Sequence, residues 1–381
     1  MPRRQAHPQD SGQQEPTFRQ VVMGDLRQTD FPGSFRQDLR DLYRFYLSEE
    51  RRAELARMGT VRGIFWFWGW LFKSLMMKLS PPRRLTLLAA VILVVMGEWQ
   101  LRFGEMELVV HLRMVGVLLV FVVLMLELKD KLLARDEIEV ARQVQLALLP
   151  RRNPEWPGWA IWSHTQPAND VGGDLIDFVE LDGTRLGVAL GDVAGKGLGA
   201  ALLMAKLQAT VRAVAPGCPS LAELGQRLNA ILLRDGIHNR YATMFYVELE
   251  PDTGRLRFLN AGHNPPLVIG PAGVQELRAP SLPLGMMSDA RYVQEDRILA
   301  PGELLIIYSD GVTEAANVDD QEFGAGRLRD IAASLRGSAP EEAGTRLLDH
   351  VRAFLGEARP GDDLSLVILA RLRDEPATQP S

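Results

Sequence analysis

Past residue 155 the chain is cut into short β-forming runs, and their spacing leaves little choice of fold. WAIWSH (159–164), LIDFVEL (175–181), RLGVAL (185–190), ATMFYVELE (242–250), RLRFLNA (255–261), PLVIG (266–270), ELLIIYS (303–309) and LSLVILA (364–370) are rich in β-branched, aromatic and leucine residues. Gly, Pro, Asp or Asn bound them, as strands require. PDTGR (251–255) reads as a hairpin turn between two of them. Helical segments interrupt the strands in pairs. Residues 198–214 carry small and apolar residues on most faces, and 220–235 open with the capping box Ser220 and Glu223 and stop at Gly236. Residues 325–336 align Leu328, Ile331 and Leu335, and 340–356 align Ala343, Leu347, Val351 and Phe354. The pattern predicts an α+β domain, a largely antiparallel sheet core covered by helices.

Carboxylates recur at the ends of these strands, each in a glycine-containing turn. NDVGGDLIDF (169–178) sets Gly172 and Gly173 before Asp174. LGVALGDVAGKG delivers Asp192, LLIIYSDGVTEA delivers Asp310, and RPGDDLSLVILA begins with Asp362 and Asp363. Any one of them alone reads as a tight turn at a strand end. Together, in a chain whose one cysteine is Cys218, they point to a cation that prefers oxygen. Mg²⁺ and Mn²⁺ accept shells of aspartate and water, so the residues predict a carboxylate-bound, binuclear site. One cysteine also excludes an internal disulfide and a cysteine-based zinc site, and fits a reducing compartment. With 46% hydrophobic and 24% charged residues the chain is globular in composition, and its net charge of −5 gives no reason to expect nucleic-acid binding.

GGD-x-x-D, GDV-x-GKG followed by AALLMA, NAGHNPP, LPLG, YSDGVTE and GDDLS stand here in the order seen in the bacterial stage II sporulation protein E-type phosphatases. Those belong to the metal-dependent serine/threonine phosphatases of the 2C class, and this chain resembles them over about residues 136–372. The resemblance implies a four-layer α/β/β/α sandwich holding two Mn²⁺ or Mg²⁺ ions at one end. It implies that Asp192 bridges the ions and the attacking water, and that the Val193 carbonyl is a further ligand. Asp174, Asp310 and Asp362 match the remaining acidic positions, with Asp363 an alternate to Asp362. Asp177 is either a residue behind the ligands or simply part of a strand. A water activated by the two metals then attacks phosphorus directly, without a phosphoenzyme. Where eukaryotic relatives carry a histidine this chain has Lys196, either a phosphate contact or a solvated turn residue, so the proton donor is unassigned. His263 reads as a histidine tying down a hairpin end, with Asn260 and Asn264 as turn formers. The implied substrate is a phosphoserine or phosphothreonine on a regulatory protein, of the STAS-type anti-sigma-factor antagonists. Two other readings are weaker. GGDLID resembles a cyclic-dinucleotide synthase loop only superficially, since leucine follows GGD and the SDG and GDD stretches are left unexplained. A catalytically silent phosphatase-fold scaffold needs a lost aspartate, and all four are present.

The N-terminal third has a different character. Residues 1–16 are polar and Pro/Gln-rich, without a signal peptide, and 1–33 are expected to be a disordered tail, as are 373–381. Residues 34–80 are expected to form amphipathic and interfacial helices, with the aromatic GIFWFWGWLF (63–72) at a membrane surface. LTLLAAVILVVMG (85–97) and MVGVLLVFVVLML (114–126) carry no charge. Each alone is short of a span of about 20 residues and suits a buried helix. Extended through Trp99 and Leu101 and back to Leu108, they predict a transmembrane hairpin over 83–128. Arg83, Arg84, Lys129, Lys131 and Arg135 flank its outer ends, which places both in the cytoplasm and the chain in the inner membrane. Residues 129–150 continue as a linker helix into the phosphatase domain, 151–372. Leu126, Leu133, Val140 and Ala147 recur every seven residues in a weak heptad, which suggests a homodimer and a helix that transmits a signal.

Overall fold

The computed structural model describes residues 51–372, apart from 52–53, 56, 104–105, 236–239, 252 and 279–280. The expected tails, and the amphipathic stretch from 34 to 50, lie outside the described residues. The chain divides into two compact units, Met1–Asp130 and Lys131–Ser381.

In the first unit, α1 (Thr60–Lys78) is followed by α2 (Pro81–Met96) and by the start of α3 (Leu112–Leu148). Pro81 opens α2, where its missing N–H costs nothing. Gly97 closes it with φ +77° while its N–H returns to the Leu93 carbonyl. The expected helical extension of the two apolar runs is therefore corrected. Trp99–Phe103 (β1) and Met106–Val110 (β2) instead pair as an antiparallel hairpin, because Gly97 has already turned the chain out of the helix. The helices of this unit meet at Gly116, where a Cβ would lie 2.6 Å from the Ala90 carbonyl oxygen. Arg83 reaches across to Glu127 and Asp130 at 2.8 and 2.7 Å. Large apolar side chains of α2 and α3 are exposed, including Leu85, Ile92, Val95, Phe121 and Leu124.

The second unit is built from two five-stranded sheets. Its strands are β3 (Trp159–Gln166), β4 (Leu175–Leu181), β5 (Arg185–Val193), β6 (Ala242–Leu249), β7 (Arg255–Ala261), β8 (Leu267–Gly270), β9 (Gly273–Glu276), β10 (Glu295–Ile298), β11 (Leu304–Tyr308) and β12 (Leu364–Arg371). One sheet has the order β10-β7-β6-β5-β4 and the other β3-β12-β11-β8-β9, with antiparallel pairing throughout. The helices are α4 (Leu198–Val214), α5 (Leu221–Asp235), α6 (Asp310–Thr313), α7 (Gly324–Ser334) and α8 (Pro340–Leu355).

Period-two alternation assigns each strand face to its own core. Ile176, Val188, Leu190 and Phe245 of the first sheet cluster with Leu305, Ile307, Val367 and Leu369 of the second. The opposite face of the first sheet, including Leu175, Ala189 and Met244, takes Leu203, Leu207, Leu224 and Leu228 of α4 and α5. The second sheet presents Ile306, Leu366 and Ile368 to Leu328, Leu347 and Val351 of α7 and α8. Among the described residues one stretch, Leu198–Gly217, is long and apolar enough to cross a membrane. Its side chains Leu203, Met204, Leu207 and Val211 are buried, so it is a core helix.

The close seating of α8 on β3 is set by a missing side chain: a Cβ on Gly344 would run into the Trp162 ring. Gly344→Ala is expected to cost about 1–3 kcal/mol of stability, the usual cost of overpacking, read as a lower urea midpoint at unchanged slope.

A carboxylate site at the strand ends

Asp192 follows Val188 and Leu190 on the face of β5 that looks between the sheets, whereas Val193 turns toward the helices. The β4–β5 register sets Leu175 opposite Gly191, which brings Asp174, just before β4, beside Asp192. On the second sheet Asp310 follows β11 at the start of α6, and Asp362 and Asp363 precede the paired strand β12. Gly311 allows this crossing, because a Cβ there would strike the Asp363 carbonyl oxygen.

Charge couples the two halves. The Asp192 carboxyl is pushed up to about 7, first by burial and then by Asp310, Asp362 and Asp363. Burial and then Asp192 hold Asp174 well above the usual carboxylate range. Asp310 is raised by burial and then by Asp362. The ionisation of Asp174, Asp192 and Asp310, from three chain segments, is thus opposed by burial and by neighbouring carboxylates at one end of the sheets. Among the described residues no three of His, Cys, Asp or Glu stand close enough together to hold a metal ion. The donor chemistry nevertheless fits a hard divalent cation. The oxygens are carboxylate, and Asp174 Oδ2 is buried with no hydrogen-bond partner among the described residues.

The adjacent aspartates do different work. Asp363 accepts from the backbone N–H of Ala168 at 2.8 Å, Gly173 at 2.6 Å and Asp174 at 3.3 Å. Both its oxygens hold the turn that carries Asp174. Asp362 is more exposed and pairs with Lys196, Nζ to Oδ2 at 3.1 Å. This division also explains the two glycines before Asp174. A Cβ on Gly172 would lie 2.5 Å from Asp363 Oδ2, and one on Gly173 would lie 3.1 Å from the Val193 carbonyl oxygen. Close approach demands glycine here, and neither residue has positive φ.

Lys196 also donates to the Gly361 carbonyl at 2.6 Å, so it ties the glycine turn after β5 to the turn before β12. Asp177 lies apart from this site. It is fully buried and accepts from Nε and Nη2 of Arg212, each at 2.7 Å, fastening β4 to α4. His263 is buried, which lowers its pKa to about 4, and its Nδ1 meets Thr243 Oγ1 at 2.8 Å. Asn260 closes the loop by bonding the N–H and carbonyl of His263. The histidine is a neutral structural tie.

Two residues of this region escaped the sequence reading. Buried Gln145 of α3 donates Nε2 to the Gly172 carbonyl at 2.7 Å and accepts the Gly172 N–H through Oε1 at 3.0 Å. Its place in an unbroken helix gave only the signal of a polar residue among apolar ones. Arg240, just before β6, sets its guanidinium against Gly195 and Gly199.

The family model described as Stage II sporulation protein E (SpoIIE) matches residues 182–372, and the chain belongs to that family. It carries a phosphatase domain of the SpoIIE type. Protein IcfG of Synechocystis sp. is 29% identical over 277 residues, which cover 64% of this chain and 43% of that protein. The chain thus matches less than half the length of this relative. Phosphoserine phosphatase RsbU of Bacillus subtilis is 27% identical over 239 residues, covering 62% of this chain and 70% of RsbU. The solved SiaA-PP2C domain of Pseudomonas aeruginosa shares the fold, with a TM-score of 0.53 and 21% identity over 64% of this chain and 99% of that one.

Proposed function

We propose that this chain is a membrane-anchored, metal-dependent protein serine/threonine phosphatase. The observation that carries the reading is the meeting of Asp174, Asp192, Asp310 and Asp362 from the ends of strands in both sheets. The three separate cores support a four-layer α/β/β/α order, with the site at the end of the two central sheets. Asp192, Asp174, Asp310, Asp362 and the Val193 carbonyl would hold two Mn²⁺ or Mg²⁺ ions. When bound, such ions acidify water and neutralise charge on a phosphoryl group. The protein's part is to hold the aspartates in place. Asp363 and Gln145 fix the Asp174 turn, and Lys196 restrains Asp362. Purified chain should hydrolyse p-nitrophenyl phosphate with Mn²⁺ and lose that activity in EDTA. Turnover indifferent to both would sink the metal-dependent reading, and no turnover with or without Mn²⁺ would favour a silent scaffold.

The relative RsbU is named a phosphoserine phosphatase, which supports a phosphoserine or phosphothreonine substrate. We take that substrate to be a regulatory protein, of the STAS-type anti-sigma-factor antagonists that the motif resemblance implies. The exposed apolar faces of α2 and α3 support a two-helix span in the inner membrane, with the phosphatase domain cytoplasmic. Exposed Leu133 and Val140 on α3 support pairing of two chains through the linker helix. The full chain should remain in the pellet after carbonate extraction; release into the supernatant would assign α2 and the start of α3 to a peripheral hairpin.

A further inference from the structure

Arg240 is a cation built into the site region without a partner among the described residues. The β5–β6 ladder pairs Val193 with Ala242, and the Ala194 N–H bonds the Tyr241 carbonyl at 2.9 Å. Continued one step, the ladder sets Arg240 across from Gly195. A Cβ on Gly195 would lie 3.0 Å from Nη1 of Arg240, and one on Gly199 would lie 2.9 Å from Nη2. The guanidinium therefore occupies space that two glycines leave open. Nη1 is buried and has no hydrogen-bond partner among the described residues. The contrast with other arginines of the domain is sharp. Arg185 and Arg257 both pair with buried Glu248, and Arg212 pairs with buried Asp177. Lys196, the other cation of this turn, is committed to Gly361 and Asp362.

A guanidinium cannot relieve its burial by losing a proton, and it presents its donors in a planar fork suited to phosphate. A buried arm left unpaired is costly unless an anion meets it. Gly195 lies three residues beyond Asp192, so even a fully extended chain puts the two within roughly 10–11 Å. A phosphoryl dianion approaching a site lined by aspartates needs positive charge to offset their field. Resting on the phosphatase reading, we propose that Arg240 binds an oxygen of the substrate's phosphoryl group. It is then a substrate-binding residue and no metal ligand.

The test compares Arg240→Ala and Arg240→Lys with the unchanged full-length protein in detergent. Three quantities are measured: KM for p-nitrophenyl phosphate, the inhibition constant of inorganic phosphate, and Mn²⁺ affinity by electron paramagnetic resonance without phosphate. Losing a charge-assisted hydrogen bond predicts that Arg240→Ala raises KM and the phosphate inhibition constant by about tenfold or more. Arg240→Lys, which keeps the charge and loses the fork, should fall between, and provides a soluble variant should alanine unfold the domain. Mn²⁺ affinity should stay within about twofold, since no metal ligand has changed. Normal turnover with an unchanged phosphate inhibition constant in both variants overturns the assignment alone. A parallel fall in Mn²⁺ affinity also overturns it, because Arg240 would then only shape the glycine turn. No Mn²⁺-stimulated turnover in the unchanged protein overturns the phosphatase reading and this assignment with it.

Discussion

Asp192→Ala is expected to reduce Mn²⁺-dependent hydrolysis of p-nitrophenyl phosphate by at least about a hundredfold, and Asp310→Ala to do the same. Metal-ion catalysis supplies several kcal/mol of transition-state stabilisation, and each 1.4 kcal/mol is about tenfold in rate. Neither variant should lose its fold. Asp192 is an acid whose ionised form is disfavoured by burial and then by Asp310, Asp362 and Asp363. Removing it relieves repulsion in the metal-free protein. The same cause fixes a pH dependence. Its folded pKa of about 7 lies above the unfolded value of about 3.9. The stability that this group contributes is therefore complete below pH about 4 and is lost as pH rises through 7. In EDTA the unchanged protein should lose stability across that window, and Asp192→Ala should flatten the loss. Activity above a tenth of normal in either variant, or identical pH slopes, would remove Asp192 from the role assigned to it.

Gly172→Val should be nearly as damaging, although the residue has no functional group. Even its Cβ would stand 2.5 Å from Asp363 Oδ2, the oxygen that holds the N–H groups of Gly173 and Asp174. The turn must move, and Asp174 moves with it. Overpacking of this kind costs about 1–3 kcal/mol of stability. Displacing a ligand by about 1 Å can cost on the order of a hundredfold in rate. Gly217→Ala is the control, since a Cβ there meets nothing within 4 Å. It should change stability by no more than about 0.5 kcal/mol. Equal behaviour of the two variants in urea unfolding and turnover would show that the Asp174 turn is not held by close packing.

How much of this was readable in advance follows from how local each signal is. The runs that became β4, β5, β7 and β11 announce themselves by apolar side chains alternating or massed between turn residues. β9 and β10 do not: GVQE and EDRI are polar edge strands whose place depends on β8 and β7. The apolar run before Gly97 looks extendable into Trp99 and Leu101, yet a single positive φ ends the helix and a hairpin follows. At the site, Asp192 and Asp310 are legible because strand, carboxylate and glycine adjoin in sequence. The distinct task of Asp363 is not, since its partner Gly173 lies 190 positions away. Asp362 and Asp363 look alike in a string of letters and differ only in what surrounds them. Arg240 is silent for the same reason, because the glycines it meets belong to another segment.

The paired hydrogen bonds between Gln145 and Gly172 make one backbone amide a reporter. A glutamine side chain here satisfies the N–H and the C=O of one residue, as a neighbouring strand would, but it is borne on the helix that leads in from the other unit. The Gly172 amide is shielded from solvent deuterium only while that helix is seated. Its exchange rate therefore measures the free energy of unseating directly, without any substrate, metal or knowledge of the stimulus. Glutamate could accept the Gly172 N–H but not donate to its carbonyl, so Gln145→Glu should speed exchange at this amide while the amides of β5 and β6 keep their protection.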